Sequence, residues 1–309
     1  MNENKNYYKV YGVVVESQII MPELISISKE DFDNSDDKNK VYVKLSNMPD
    51  NVKNSIESGE IHYFSKEECW FIIKEIGIFR MINGNEIYVE NIGGNDIEIK
   101  AFVLGSAFGC ILIQRNVLAI HGGLIMLDDS GIIVTGHMGA GKSTLISGLI
   151  KKGYKFLADD VSAMEIDHNK VMGNPAYPQQ KLCRDAAVNM GFDPENMIKV
   201  DDERDKFALK ENGNFISSPK QIRYMFELFI KEDIEDRSVS IVEVKGTDKL
   251  ARIIQNIYRT GIARTVGFKG EYLKNILTFA SNIKYYKILR PQNMFSVEEQ
   301  ITKIIEKVV

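Results

Sequence analysis

Cysteine is scarce in this 309-residue chain: Cys69, Cys110 and Cys183 are odd in number, far apart and form no C-x-x-C pair. That pattern excludes a disulfide framework and a cysteine-built zinc site, and it suits a reducing cytoplasm. An excess of positive charge is also lacking. The 39 Lys and Arg stand against 43 Asp and Glu, a formal charge of -4, so no global field holds polyanionic nucleic acid and no such partner is expected. No apolar run is long enough to span a bilayer; the most apolar stretch, 101–113, reads as a buried helix. The polar residues 1–9 carry none of the apolar core a secretory signal needs. Neither export nor a membrane partner is expected.

What is present is an ordinary soluble mixture, 44% hydrophobic and 27% charged, with a length that calls for about two globular units. The first hundred residues carry β-prone runs at 8–15, 41–45, 70–73, 78–82 and 86–90, parted by turn-formers, with Asn83-Gly84 set for a tight hairpin turn. The polar run 28–40, SKEDFDNSDDKNK, has no apolar periodicity and predicts a mobile surface loop. Near residue 100 an α/β rhythm begins. It predicts a helix over 102–114, strands over 117–127 and 132–135 joined by Asp128-Asp129-Ser130-Gly131, and a helix over 143–152. Extended runs follow at 154–158, 161–166, 221–230 and 240–244, and helices at 248–258 and 296–309. The predicted fold class is therefore α/β, with a β-rich amino-terminal domain over 1–100 and a P-loop domain over 101–309.

Gly136-His137-Met138-Gly139-Ala140-Gly141-Lys142-Ser143 meets G-x-x-x-x-G-K-[ST] at every required position, between an apolar strand and an amphipathic helix. Glycines let backbone N–H groups approach phosphate oxygens, and the start of the following helix adds partial positive charge. The run from Gly136 to Thr144 is thus the expected site for the phosphates of ATP, with Lys142 on the β/γ oxygens and Ser143 a ligand to Mg²⁺. His137 occupies a variable position and is expected to face solvent. No N-K-x-D guanine-reading motif occurs, which disfavours a GTPase.

Asp159 and Asp160 close the strand that follows the P-loop helix. Were the sheet open and parallel, its strands' carboxyl ends would face one crevice. Two carboxylates there divide Mg²⁺ binding from general-base work on an incoming hydroxyl, although which takes which part is open. His121 lies in an apolar strand, where a lone histidine is more often a packed core residue than a catalyst.

The segments Ile120-His121-Gly122-Gly123, GHMGAGKST and KKGYKFLADDVSAMEI (from Lys151) resemble the catalytic core of HPr kinase/phosphorylase, a bacterial P-loop serine kinase. The resemblance implies an active site of His121, Lys142, Asp159 and Asp160, and an oligomeric assembly. Where classical members carry an arginine- and glycine-rich stretch, this chain reads NPAYPQQKL over 174–182. A second resemblance spans more of the chain: Tyr8-Lys9-Val10-Tyr11-Gly12, Pro22-Glu23-Leu24, Leu104-Gly105-Ser106-Ala107-Phe108-Gly109, YPQQKL from Tyr177, and Asp205-Lys206-Phe207. These are similar to HPr-kinase-related kinases of ribosomal peptide gene clusters, notably lasso-peptide clusters, and imply a precursor peptide phosphorylated on a serine, typically the carboxy-terminal one. For YPQQKL and DKF, turn formation and packing weigh evenly with function. In the functional reading Lys181, Arg184, Arg204 and Lys206 neutralise transferred phosphate or grip a peptide carboxylate.

The expectation is an ATP- and Mg²⁺-dependent serine kinase. Two alternatives stay open: the same chemistry on HPr or a small-molecule hydroxyl, and an ATP-sensing module without chemistry, which retention of Lys142 and both aspartates disfavours.

Overall fold

The computed structural model describes residues 5–201, 205–210, 213–232, 235–292 and 294–308. The chain forms two units, each built from two separate segments: Met1–Ala119 with Arg259–Leu273, and Ile120–Tyr258 with Lys274–Val309. The main division falls at residue 119 rather than near 100, and a short later segment rejoins the first unit.

The first unit holds one eight-stranded sheet. Its strands are β1 (Asn6–Val10), β2 (Val13–Ser17), β3 (Ile25–Ser26), β4 (Lys40–Leu45), β5 (His62–Phe64), β6 (Glu68–Ile73), β7 (Gly77–Ile82) and β8 (Glu86–Asn91). They lie in the order β3-β1-β2-β4-β8-β7-β6-β5. The single strand expected over 8–15 is instead a hairpin, because Tyr11 (φ 52°) and Gly12 (φ 84°) take left-handed conformations that reverse the chain. Asn83 and Gly84 make the β7–β8 turn in the same way (φ 51° and 71°).

The polar run after Ser28 is not a loop throughout. It contains helix α1 (Lys29–Asp33), started by a reciprocal cap in which Ser28 and Asp31 satisfy each other's N–H groups. One apolar residue anchors it: Phe32 is buried against the rings of Tyr7 and Tyr42, with centroids 5.3 Å and 5.8 Å away. Helix α2 (Asp50–Glu57) places Val52 in a small cluster with Met48, Trp70 and Ile78. The helix expected from 102 begins earlier, since Asn95 caps α3 (Asp96–Phe102). A π-helical turn, Val103–Ala107, joins it to α4 (Phe108–Gln114).

The second unit contains β9 (Leu118–Leu127), β10 (Ser130–Gly136), α5 (Lys142–Lys151), β11 (Lys155–Ala158), β12 (Val161–Asp167), β13 (Lys170–Asn174) and β14 (Gln179–Cys183). Then come α6 (Arg184–Asn189), β15 (Ile198–Asp201), β16 (Lys206–Lys210), β17 (Lys220–Ile230), β18 (Ser240–Val244) and α7 (Gly246–Gln255). Helix α8 (Thr260–Val266) and the start of α9 (Gly270–Asn282) lie in the later segment of the first unit, after which the rest of α9, β19 (Lys284–Arg290) and α10 (Val297–Val308) belong to the second. The main sheet runs β10-β9-β12-β13-β17-β19-β18, and β17 also pairs with β10, which closes a ring of strands. A separate three-stranded sheet, β14-β16-β15, carries the YPQQKL and DKF segments.

The apolar face of α5 (Leu145, Ile146, Leu149, Ile150) packs on Val134, Phe226 and Ile288 of the sheet and on Ile301 and Ile304 of α10. Each such buried side chain contributes about 1.5–3 kcal/mol. Gly148 lets α10 come close, since a Cβ there would meet Val297 Cγ1 at 2.6 Å. No helix of the described residues is long and apolar enough to cross a membrane.

Candidate active site

The sheet is mixed rather than open and parallel, and this brings the expected residues together by a different route. Strands β10 and β11 lie on opposite edges of β9 and both run antiparallel to it. Their carboxyl ends therefore arrive beside the same stretch of β9, at His121, Gly122 and Gly123. The two glycines permit the close fit: a Cβ on Gly122 would sit 2.4 Å from the Val134 carbonyl oxygen, and one on Gly123 2.4 Å from Ile146 Cδ1 and 2.9 Å from the Asp159 carbonyl oxygen. Backbone and hydroxyl bonds then fix the strand, Gly122 N–H donating to Asp160 O (2.9 Å) and Ser162 Oγ to Gly122 O (2.7 Å).

The loop after β10 has the backbone of an anion cradle. Gly136, Gly139 and Gly141 all have positive φ (147°, 79° and 99°), and Gly141 begins α5 without any side-chain cap. The first N–H groups of α5 are thus left for an outside acceptor. Lys142 is curled back, its Nζ donating to Gly136 O (2.6 Å) and His137 O (3.2 Å). Burial holds its ammonium below the usual lysine range, against the attraction of Asp160. His137 and Met138 are exposed, Met138 to 85%. Arg290, at the end of β19, grips the loop from outside, donating to Ala140 O at 2.7 Å and Gly139 O at 3.3 Å.

Asp159 and Asp160 occupy contrasting environments. Asp159 Oδ2 accepts the Lys181 N–H at 2.8 Å, while its Oδ1 is buried with no hydrogen-bond partner among the described residues. Burial first, and then the charge of Asp160, push its carboxyl up to about 7. Asp160 is also withdrawn from solvent, which alone would raise it, but Lys181, His121, Lys206 and Lys142 together hold it below the usual carboxylate range. Its Oδ1 lies 3.5 Å from His121 Nδ1 and its Oδ2 3.8 Å from Lys181 Nζ. The Tyr177 oxygen and Asp160 beside Lys181 hold that ammonium above the usual lysine range in spite of burial. The His121 ring stacks on Tyr258, with centroids 6.0 Å apart and planes at 27°.

The YPQQKL strand is thus part of the same neighbourhood, and Gln180, 1% exposed, accepts the Ser147 hydroxyl of α5 at 2.7 Å. Of the four cations expected here, Lys181 and Lys206 act on the aspartates. Arg184 is instead engaged by Asp205 and Glu195, each at 2.6 Å, and lies over the Phe207 ring. Arg204 lies outside the described residues. Sequence reasoning missed Arg290, Asn256 and Tyr258, which no motif flags because they reach the site from distant parts of the chain.

No cluster of three or more His, Cys, Asp or Glu that would cage a metal occurs among the described residues. The donors nonetheless suit Mg²⁺, which keeps several waters and substrate phosphate oxygens and needs only one or two protein oxygens. Ser143 and the Asp pair, with the orphaned Asp159 oxygen, are of that kind.

Fold and loop together define an α/β domain that carries a P-loop with an acidic pair beside it. Residues 114–184 match the family model of the HPr Serine kinase C-terminal domain. An HPr kinase/phosphorylase of Lactobacillus acidophilus is 41% identical over 147 residues, 47% of this chain and 45% of that protein. One of Lactobacillus delbrueckii subsp. bulgaricus is 36% identical over 162 residues, 51% of this chain and 50% of that protein. The chain thus spans about half the length of these curated relatives. A solved HPr(Ser) kinase/phosphatase from Coxiella burnetii is similar with a TM-score of 0.31 and 13% identity, over 61% of this chain and 93% of that one.

Proposed function

We propose that this chain is an ATP-dependent serine kinase whose acceptor is the serine hydroxyl of a precursor peptide, typically a carboxy-terminal serine of the lasso type. One observation carries the kinase reading: beside the P-loop lysine, Asp160 lies 3.5 Å from His121 Nδ1 and 3.8 Å from Lys181 Nζ, and the adjoining Asp159 keeps a buried Oδ1 with no hydrogen-bond partner among the described residues. A nucleotide sensor needs the loop but not a proton acceptor.

In this reading the loop N–H groups and Lys142 hold the β/γ phosphates, Lys142 exchanging its two loop carbonyls for phosphate oxygens. Asp159 is the base. Its carboxylate accepts the serine proton as the serine oxygen bonds to the γ phosphorus and the bond to ADP breaks, and a conjugate acid near 7 suits that transfer at neutral pH. Asp160 stays ionised, oriented by His121 and Lys181. Ser143 and Asp160 would hold Mg²⁺, which when bound offsets phosphate charge. Lys181 and Lys206 add positive charge beside the acceptor. The β-rich first unit is assigned the capture of extended peptide through a strand edge, and a homo-oligomer is the proposed assembly.

The acceptor half of the proposal draws support from the outer segments that resemble peptide-cluster kinases, whereas the relatives' names favour HPr. Both are tested together: the purified protein is incubated with Mg-ATP, HPr and a peptide ending in a free serine, and the intact mass of each is followed. A phosphoryl increment on the peptide alone is expected. An increment on HPr alone would move the acceptor to HPr, and tight ATP binding with no transfer to a broad hydroxyl panel would leave the sensor.

A further inference from the structure

Behind His121 lies a buried polar cluster that neither the P-loop nor the acidic pair requires. Glu227 on β17 is 2% exposed, yet it accepts from Tyr285 Oη at 2.6 Å, Asn256 Nδ2 at 2.9 Å and Arg252 Nη1 at 3.1 Å. Asn256, at the end of α7, also donates from Nδ2 to Arg252 O at 2.9 Å, which leaves its Oδ1 facing the Thr135 hydroxyl at 2.7 Å. Thr135 is fully buried and immediately precedes the P-loop; its Oγ1 also lies 2.6 Å from the His121 carbonyl oxygen, so its one proton serves either acceptor. The His121 N–H donates to Asn256 O at 2.9 Å, and the neighbours Ile120 and Ile257 bridge as antiparallel strand residues. Two residues past Asn256, Tyr258 stacks on the His121 ring.

Both backbone polar groups of His121 thus face this cluster, while its ring lies 3.5 Å from Asp160 and stacks on Tyr258. A buried carboxylate and amide are costly unless fully bonded, and apolar packing would have filled the same space without that cost. A directional hydrogen-bond network does what apolar packing does not: it fixes one geometry.

We propose that Thr135, Asn256 and Glu227 are positioning residues that hold His121 in place against Asp160, from the strand that leads into the P-loop. The inference rests on the reading of His121 as part of the transfer site, but its test reads His121 directly. The full chain carrying ¹³C-labelled histidine has four ring signals, and that of His121 is assigned by its loss in H121Q. Thr135→Val removes the hydroxyl at nearly constant shape, and Thr135→Ser restores it. In Thr135→Val the His121 signal is expected to move while those of His62, His137 and His168 stay, with a single cooperative thermal transition retained. In Thr135→Ser it returns. Peptide phosphorylation in Thr135→Val should lose at least about tenfold in kcat with the ATP KM within about twofold, as for a displaced rather than a missing group. Asn256→Ala should repeat the pattern; if it fails to fold, Thr135→Val decides. An unmoved His121 signal in folded Thr135→Val overturns the proposal. If the wild type phosphorylates no acceptor, the kinase reading falls while the histidine signals still decide the positioning.

Discussion

Asp159 carries a cost that its surroundings impose. Its carboxyl, pushed up to about 7 by burial and by Asp160, holds a proton in the folded chain that the unfolded chain, with an ordinary carboxyl near 4, releases. Between those values the native state binds more protons, so this contribution to stability is present at low pH and is lost as pH rises through about 7. In Asp159→Asn the titration is absent. Relative to wild type in EDTA, the variant should therefore gain on the order of 2 kcal/mol from pH 5 to pH 8, read from denaturant midpoints. Parallel stability curves would show that the carboxyl is ordinary. The same variant should bind ATP and transfer nothing. Sequence could name this residue from its spacing, but not divide its role from that of its neighbour. The division depends on which carboxylate faces Lys181 Nζ and His121, and that follows from strand pairing.

At the scale of elements, the site depends on two close approaches and one clasp. A Cβ on Gly123 would press on Ile146 and on the Asp159 backbone, so Gly123→Ala should lose about 1–3 kcal/mol of stability and displace the acidic pair. Its kcat should fall further than its melting temperature suggests. Arg290 bonds two P-loop carbonyls from a strand some 150 positions away. Arg290→Met keeps the length and removes the donors, and nucleotide affinity by calorimetry should weaken about tenfold, in line with bonds made by a charged group. Unchanged affinity would show that the glycines alone shape the loop.

The P-loop, the strands around it and α5 were legible because their signals are local: apolar periodicity, glycine spacing and Lys-Ser order. The mixed direction of the sheet was not, since antiparallel β9 and β11 are joined through elements whose pairing is set by packing. The β14–β16 pairing is not legible in the sequence because polar QQKLC and KFALK lack an alternating apolar face. Helix α1 gives no helical periodicity in the sequence, since a single phenylalanine, Phe32, carries all of its burial.

At the scale of the molecule, the interleaved segments make the predicted boundary testable. A chain beginning at residue 101, or ending at 119, divides a unit from part of itself: α8 belongs with the first unit, whereas Ile276 and Phe279, both fully buried, belong with the second. Either truncation should express as aggregate, while the full chain stays in solution, as read by size-exclusion chromatography. A soluble, cooperatively melting fragment over 101–309 would mean that the segment 259–273 is dispensable. The same interleaving orders events during synthesis. The eight strands of the first unit leave the ribosome early, yet the segment that completes that unit follows only after residues 120–258 have been made, roughly 7 to 28 seconds later at ordinary elongation rates. The nascent sheet must wait with one flank unfinished, and the phosphate-binding loop is translated before the unit that precedes it has closed.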